Sequence, residues 1–376
     1  MNKLQDRWWP WMANRGIWLL SFALLSPVAA AEGPTLAVVG PFSGDWATYG
    51  ERMREAVRWE VGRLNATGGV AGEPVTLLEL DDRCDPQVAV TRAREALAAG
   101  VKLVVGHLCS AATLAAAPVY EAGGAIMITP AATDPALTRQ GYQRVFRLRP
   151  TADRQVDSAV GFLRERWQPE RLAVLHDDSD YGELVGRAMV NVSQAAGLPV
   201  VLTARTSRGQ HDFSRLVAVL AANQVDAIYY AGFAEELGLL LNQLRQQGLG
   251  VPVMGSDAVS SQVLAELAGP TAEGVYLTLP AALAAVPEPE LAAFLAEQGW
   301  TRSPLMALAA VAAVRVLVAA LELTVREPGM ALATAIRDSA HATPLGILSF
   351  DEVGEPTGFH HGIYRWQADR VVPVTR

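Results

Sequence analysis

The chain has 376 residues, 51% of them hydrophobic and 19% charged, and a formal net charge of −8. That length supports a large core and, as a prior, two domains. An acidic chain with scattered Lys and Arg argues against nucleic acid and against an anionic membrane surface as partners.

Residues 1–31 read as a secretory signal peptide. Lys3, Arg7 and Arg15 give a basic start, Ile17 to Leu25 is an apolar run too short to span a bilayer, and Ala29-Ala30-Ala31 supplies small residues for cleavage before Glu32. The cleavage point carries no cysteine, so lipid attachment is not expected. No later segment reads as long and apolar enough to span a membrane, so the expectation is a soluble, exported protein.

Beyond the leader, strand and helix patterns alternate. Strands are expected at 35–40, 75–82, 102–106, 125–129 and 144–149, with helices at 51–64, 86–99 and 111–122 between them. The rhythm then restarts. Helices at 153–167, 181–196, 213–222, 235–247 and 260–268 separate strands at 172–176, 200–204, 226–230, 252–255 and 274–279. Near-continuous Val/Ile/Leu strands with intervening helices indicate α/β architecture with parallel sheets covered on both faces. Two runs imply two doubly wound, Rossmann-like lobes. A long alanine-rich helix at 304–325, a shorter one at 331–338, and strands at 345–350, 362–367 and 371–372 follow. The chain therefore crosses between lobes more than once, which makes a hinge. The expected division is 32–151 plus 281–360 for lobe one, and 152–280 plus 361–376 for lobe two.

The stretch Val104 to Thr113 (VVGHLCSAAT) anchors the functional reading. It runs from an apolar strand into residues that open a helix, and Ser110 falls at the handover. Free backbone N–H groups and the helix dipole favour an anion there, such as a carboxylate. Cys109 stands beside it, and Cys84 is the other cysteine of the chain. Export favours pairing of the two, worth on the order of 3 kcal/mol in the chain-entropy model. Two free buried thiols, or a metal held by Cys84, His107 and Cys109, remain open from the residues alone.

Ligands of open α/β sheets bind beyond the carboxyl ends of the strands. Those ends offer Ser43 and Tyr49, then Ser110, then Thr129-Pro130-Ala131-Ala132-Thr133; the second run offers Asp177 to Tyr181, Gly232-Phe233 and Ser256-Asp257. Ser110 and Thr133 at helix starts suit a carboxylate, Asp257 suits an ammonium group, and Tyr49 and Phe233 suit an apolar side chain. The set fits an α-amino acid with an apolar tail. Ser110 lies in GHLCS rather than a G-x-S-x-G elbow, and no phosphate-cradling loop is present, so a binding protein is expected rather than an enzyme.

Several segments carry a resemblance: VVGPFSG (Val38 to Gly44), DDRCDPQVAV (Asp81 to Val90), VVGHLCSAAT, ITPAATDPALTRQGYQRVFR (Ile128 to Arg147), HDDSDYGE (His176 to Glu183), DAIYYAGFAEELG (Asp226 to Gly238) and VMGSDAV (Val253 to Val259). Through them the chain resembles the periplasmic leucine/isoleucine/valine-binding proteins, the solute receptors of branched-chain amino acid ABC importers. The resemblance implies a type I periplasmic binding fold of two lobes closing on an apolar L-amino acid. It also implies delivery to permease subunits at the inner membrane, a periplasmic location, and no cofactor; a monomer is expected. By matched position, Ser110, Ala131 and Thr133 would hold the carboxylate and the ammonium group, Tyr181 would reach across from lobe two, and Tyr49 would cover the side chain. Cys84 and Cys109 match the family's disulfide. The chain departs from the pattern in having Asp257 for Glu, Phe233 for Tyr, and an aliphatic run at Leu305 to Leu308. The runner-up reading is a receptor of this fold for an amide, an aromatic acid or a signalling ligand.

Overall fold

The structure is a computed structural model and describes residues 33–281, 288–302, 304–358, 360–368 and 370–374. The predicted signal peptide lies outside the described residues.

The first sheet is built from β1 (Thr35–Gly40), β2 (Thr76–Asp81), β3 (Leu103–Gly106), β4 (Ile126–Thr129) and β5 (Val145–Arg147), with α1 (Ala47–Ala66), α2 (Pro86–Ala98) and α3 (Ser110–Gly123) on the connections. All its pairings are parallel, in the order β2-β1-β3-β4-β5. Alternation along β1 explains how both faces are covered. Leu36 and Val38 join a core with Met53 and Val57 of α1, whereas Ala37 and Val39 join one with Ala93 of α2 and Ala116 of α3.

The chain then passes into α4 (Ala152–Phe162) and a second run: β6 (Leu172–His176), α5 (Asp180–Ala195), β7 (Val200–Arg205), α6 (Ser214–Ala222), β8 (Ala227–Ala231), α7 (Ala234–Gln246), β9 (Val253–Gly255), α8 (Gln262–Ala268) and β10 (Tyr276–Pro280). Next come α9 (Pro289–Glu297), α10 (Leu305–Arg326), α11 (Leu332–Arg337), and the strands β11 (His341–Thr343), β12 (Gly346–Phe350), β13 (Pro356–Thr357), β14 (His361–Gln367) and β15 (Arg370–Pro373). The second sheet has the order β15-β14-β10-β9-β8-β6-β7. Its β6 to β10 pairings are parallel, and β14 and β15 add antiparallel to the β10 edge. A small antiparallel sheet, β11-β12-β13, stands apart from both.

The order β7-β6-β8-β9-β10 repeats β2-β1-β3-β4-β5. Each sheet therefore reverses its winding once, between β1 and β3 in one and between β6 and β8 in the other, and the crevices at these reversals are the natural ligand positions. Gly106 makes the first reversal possible. Its φ is +147°, and a Cβ there would lie 2.2 Å from the Val39 carbonyl oxygen of β1.

Most expected elements are present within two residues of their expected ends. Helix α1 starts four residues earlier than expected, at Ala47 rather than Glu51. Gly50, where a Cβ would meet the Pro41 carbonyl oxygen at 1.9 Å, lets the preceding loop lie against that added turn. The expected helix at 153–167 ends as α4 at Phe162 and continues as one π-helical turn, Leu163–Trp167. Among the elements not expected are α9, β11 and β13.

One expectation is corrected. By length and composition α10 could cross a membrane, with a mean hydropathy of 2.1, yet 67% of that window is buried within the protein. It is a core helix. Its alanines let it lie close to α1, and Ala309, Ala312, Ala313 and Leu317 are all fully buried.

Candidate functional site

A cavity of about 340 Å³ lies where the carboxyl ends of the two sheets face each other. Its walls include Trp46, Tyr49, Ser110, Ala131, Arg149, Tyr181, Phe233, Asp257, Leu305 and Met306. Six of the seven ligand residues expected from sequence thus line one cavity, from both of its sides. The seventh, Thr133, is 2% exposed, and its backbone N–H donates to the Ser110 hydroxyl at 3.3 Å. Thr133 does not open a helix; it precedes a short 3-10 turn, Pro135–Leu137.

On the first-sheet side, Ser110 is the first residue of α3, and Cys109 before it provides no side-chain cap. The opening N–H groups of α3 are therefore open to a ligand anion. The Cys84–Cys109 disulfide ties this helix start to the loop after β2, which removes the free-thiol and metal alternatives. Behind it, the His107 imidazole lies 2.6 Å from Asp82 and 3.2 Å from the Tyr120 hydroxyl, all buried. Thr129, at the end of β4, fixes the adjacent loop. Its hydroxyl donates to the His107 carbonyl at 2.7 Å and accepts from the Ala132 N–H at 3.0 Å. The hydroxyls of Thr133 and Tyr49 are buried without a hydrogen-bond partner, and burial raises the Tyr49 phenol above its ordinary value.

On the second-sheet side, Asp177 organises the wall. It is fully buried and accepts from the backbone N–H groups of Ser179 at 3.0 Å and Phe233 at 3.2 Å. One carboxylate thereby joins the loop after β6, which carries Tyr181, to the loop after β8, which carries Phe233. Desolvation pushes the Asp177 carboxyl up, against the pull of these donors. The rings of Trp46, Tyr49 and Tyr181 stand around Phe233 at centroid distances of 4.7, 5.4 and 5.6 Å. This aromatic cluster spans the cleft, as does Arg208, whose guanidinium sits 4.0 Å over the Trp46 ring.

Asp257 is not a solitary acid. Its carboxylate forms an ion pair with Arg149, and it accepts from the Tyr181 hydroxyl at 2.5 Å. Burial lowers the Arg149 guanidinium below its ordinary value; burial also raises the Tyr181 phenol, with Arg149 opposing. Arg149 is not among the residues expected from sequence, because it lies within the expected strand 144–149 rather than directly past an apolar run. An arginine alternating with Arg147 at the exit of β5 was the available signal. Trp46, Arg52 and Arg208 were likewise not singled out, since each reaches the cavity from a loop or helix turn rather than a strand end.

Comparison with known proteins agrees with this geometry. Residues 34–364 match the family described as periplasmic binding protein. The Leu/Ile/Val/Thr-binding protein of Salmonella typhimurium is 35% identical over 347 residues, 92% of this chain and 94% of the relative. Among solved structures, a leucine-binding protein from Thermotoga maritima has a TM-score of 0.77 at 25% identity, covering 91% of this chain and 98% of that one. An ABC transporter substrate-binding protein from Desulfitobacterium hafniense, in complex with Leu, has a TM-score of 0.72 at 25% identity, covering 91% and 100%. With a two-lobed α/β fold, a cleft at the two winding reversals, and relatives matched over nearly the whole chain, this chain belongs to the periplasmic binding protein family, among the branched-chain amino acid binding proteins.

Proposed function

We propose that the protein is an exported receptor that captures an apolar L-amino acid, of the branched-chain class, between its lobes and hands it to the permease of an ABC importer. One observation carries the ligand reading. The uncapped start of α3 at Ser110 lines the same cavity as an aromatic and aliphatic wall of Trp46, Tyr49, Phe233, Leu305 and Met306, and Thr133, whose hydroxyl is unpartnered, adjoins Ser110 through its backbone N–H. A carboxylate satisfies the first group and an apolar side chain fills the second. The Ala131 carbonyl and Asp257 are the acceptors for an ammonium group. The Salmonella relative's name and the leucine in the Desulfitobacterium complex support the same class.

We assign the lobes as 32–151 plus 281–360 and 152–280 plus 361–376. The reading includes cleavage of the leader before Glu32, a periplasmic location without a lipid anchor, a monomeric state, and reversible binding without turnover. The test is a thermal-shift screen of the mature protein against amino acids, simple amides and aromatic acids. A ligand that binds only the folded state raises Tm by mass action. Stabilisation by leucine, isoleucine or valine is expected. A response to amides or aromatic acids with none to any amino acid would overturn the ligand class.

A further inference from the structure

We propose that Arg149 frees the site from its need for a ligand ammonium group, so that the receptor also takes apolar carboxylates lacking an α-amino group, the 2-oxo acids foremost. The inference rests on the reading of the cleft as a carboxylate receptor and deepens it.

Asp257 is 2% exposed, and Arg149 is 7% exposed. They come from opposite sides of the cleft: Arg149 follows β5 of the first sheet, and Asp257 opens the turn after β9 of the second. The acid has its ion pair with Arg149 on one oxygen and the Tyr181 hydroxyl on the other, so both of its partners come from the protein. An acid that depends on the ligand for its partner is stranded when an analogue lacks the ammonium group. Sites of that kind reject such an analogue by about 10⁴-fold or more. Here Arg149 supplies the acid's partner from the protein itself, so the penalty that enforces an amino group is removed.

The cation changes the balance in the other direction as well. An ammonium group approaching Asp257 meets a guanidinium already in place, and like charges in a desolvated pocket oppose each other. A monoanion meets no such opposition. Its carboxylate lies at the α3 start, and Arg149 and Asp257 across from it neutralise each other. The Arg149 Nε–H is buried without a hydrogen-bond partner on the cavity wall. A ligand oxygen at the position of the missing amino group is the acceptor that would satisfy it, and a 2-oxo acid supplies one.

The experiment compares leucine with 4-methyl-2-oxopentanoate by isothermal titration calorimetry; the two share a side chain and differ at the α-carbon. The wild-type protein is expected to bind them with Kd values within about tenfold of each other. Arg149→Met removes the charge at similar length and should shift the ratio toward leucine by about tenfold or more, while Arg149→Lys, which keeps the charge but not the Nε–H, should shift it less. Leucine bound normally by the wild type, with the oxo acid excluded by about 10³-fold or more, overturns this inference alone. An unchanged ratio in a folded Arg149→Met protein overturns it too. If neither compound binds the wild-type protein, the carboxylate-receptor reading falls and this inference falls with it. The wild-type ratio decides the matter even if the Met variant does not fold.

Discussion

Thr133 carries a buried hydroxyl that the protein itself leaves without a hydrogen-bond partner. Such a group costs folding free energy unless a ligand satisfies it. Thr133→Val should therefore leave the ligand-free protein as stable as before, or more stable by up to about 1 kcal/mol. The same substitution should weaken binding by about 1.5–3 kcal/mol, the range for a hydrogen bond to a charged group. Thermal melts without ligand and calorimetry with it separate the two effects. A large fall in the ligand-free Tm would show a structural role instead. At this scale the strand-end rule found the residues that touch the cavity from the sheets, including Tyr49, Ser110 and Phe233. It did not find the state of Asp257. That state depends on Arg149, which is distant in sequence, and no local pattern reports the pairing of two side chains across a cleft.

Among the elements, the disulfide and α3 act as one unit. The Cys84–Cys109 bond closes a loop of 25 residues, and its loss should cost about 3 kcal/mol in the chain-entropy model. Both cysteines also lie on the cavity wall. A Cys84→Ala/Cys109→Ala variant should thus melt at a lower temperature and bind amino acids more weakly, with their ranking unchanged because the α3 start serves the carboxylate they share. A reordered ranking would mean that the loop reads the side chain. The small sheet offers a pH test. His341 of β11 is 3% exposed; burial lowers its imidazole below 6.5, although its Nε2–H donates to the Ile336 carbonyl at 2.9 Å. A histidine with a depressed folded pKa takes its proton first in the unfolded chain. Its contribution favours the folded state above pH 6.5 and turns against it as pH falls. His341→Gln should accordingly lose less stability than wild type between about pH 7 and 5, followed by Tm in matched buffers. Long periodic elements such as α10 were legible. The strands β11 and β13 were not, because two or three residues carry no period and are held by their neighbours.

Across the whole molecule, the repeated winding order places two crevices mouth to mouth, and closure depends on what bridges them. Arg208, in the loop after β7, is held from its own side by its N–H donating to Asp178 at 3.0 Å. Its guanidinium covers Trp46 at 4.0 Å and donates to the Asp45 carbonyl at 3.5 Å, both at the start of α1 on the other side. An exposed cation–π contact contributes about 0.5–1 kcal/mol, so Arg208→Ala should weaken ligand binding by roughly two- to fivefold. The loss should appear in the off-rate, since the contact bridges the two sides of the cleft and holds them together. It should also be the same for leucine, isoleucine and valine, because a latch holds the lobes and does not read the side chain. Trp46→Ala should cost more, as it removes the ring on Phe233 along with the seat for Arg208. Stopped-flow kinetics with the three amino acids checks this. A loss that varies strongly with the side chain, or that falls on the on-rate, would make Arg208 part of the ligand wall rather than the closure that holds it.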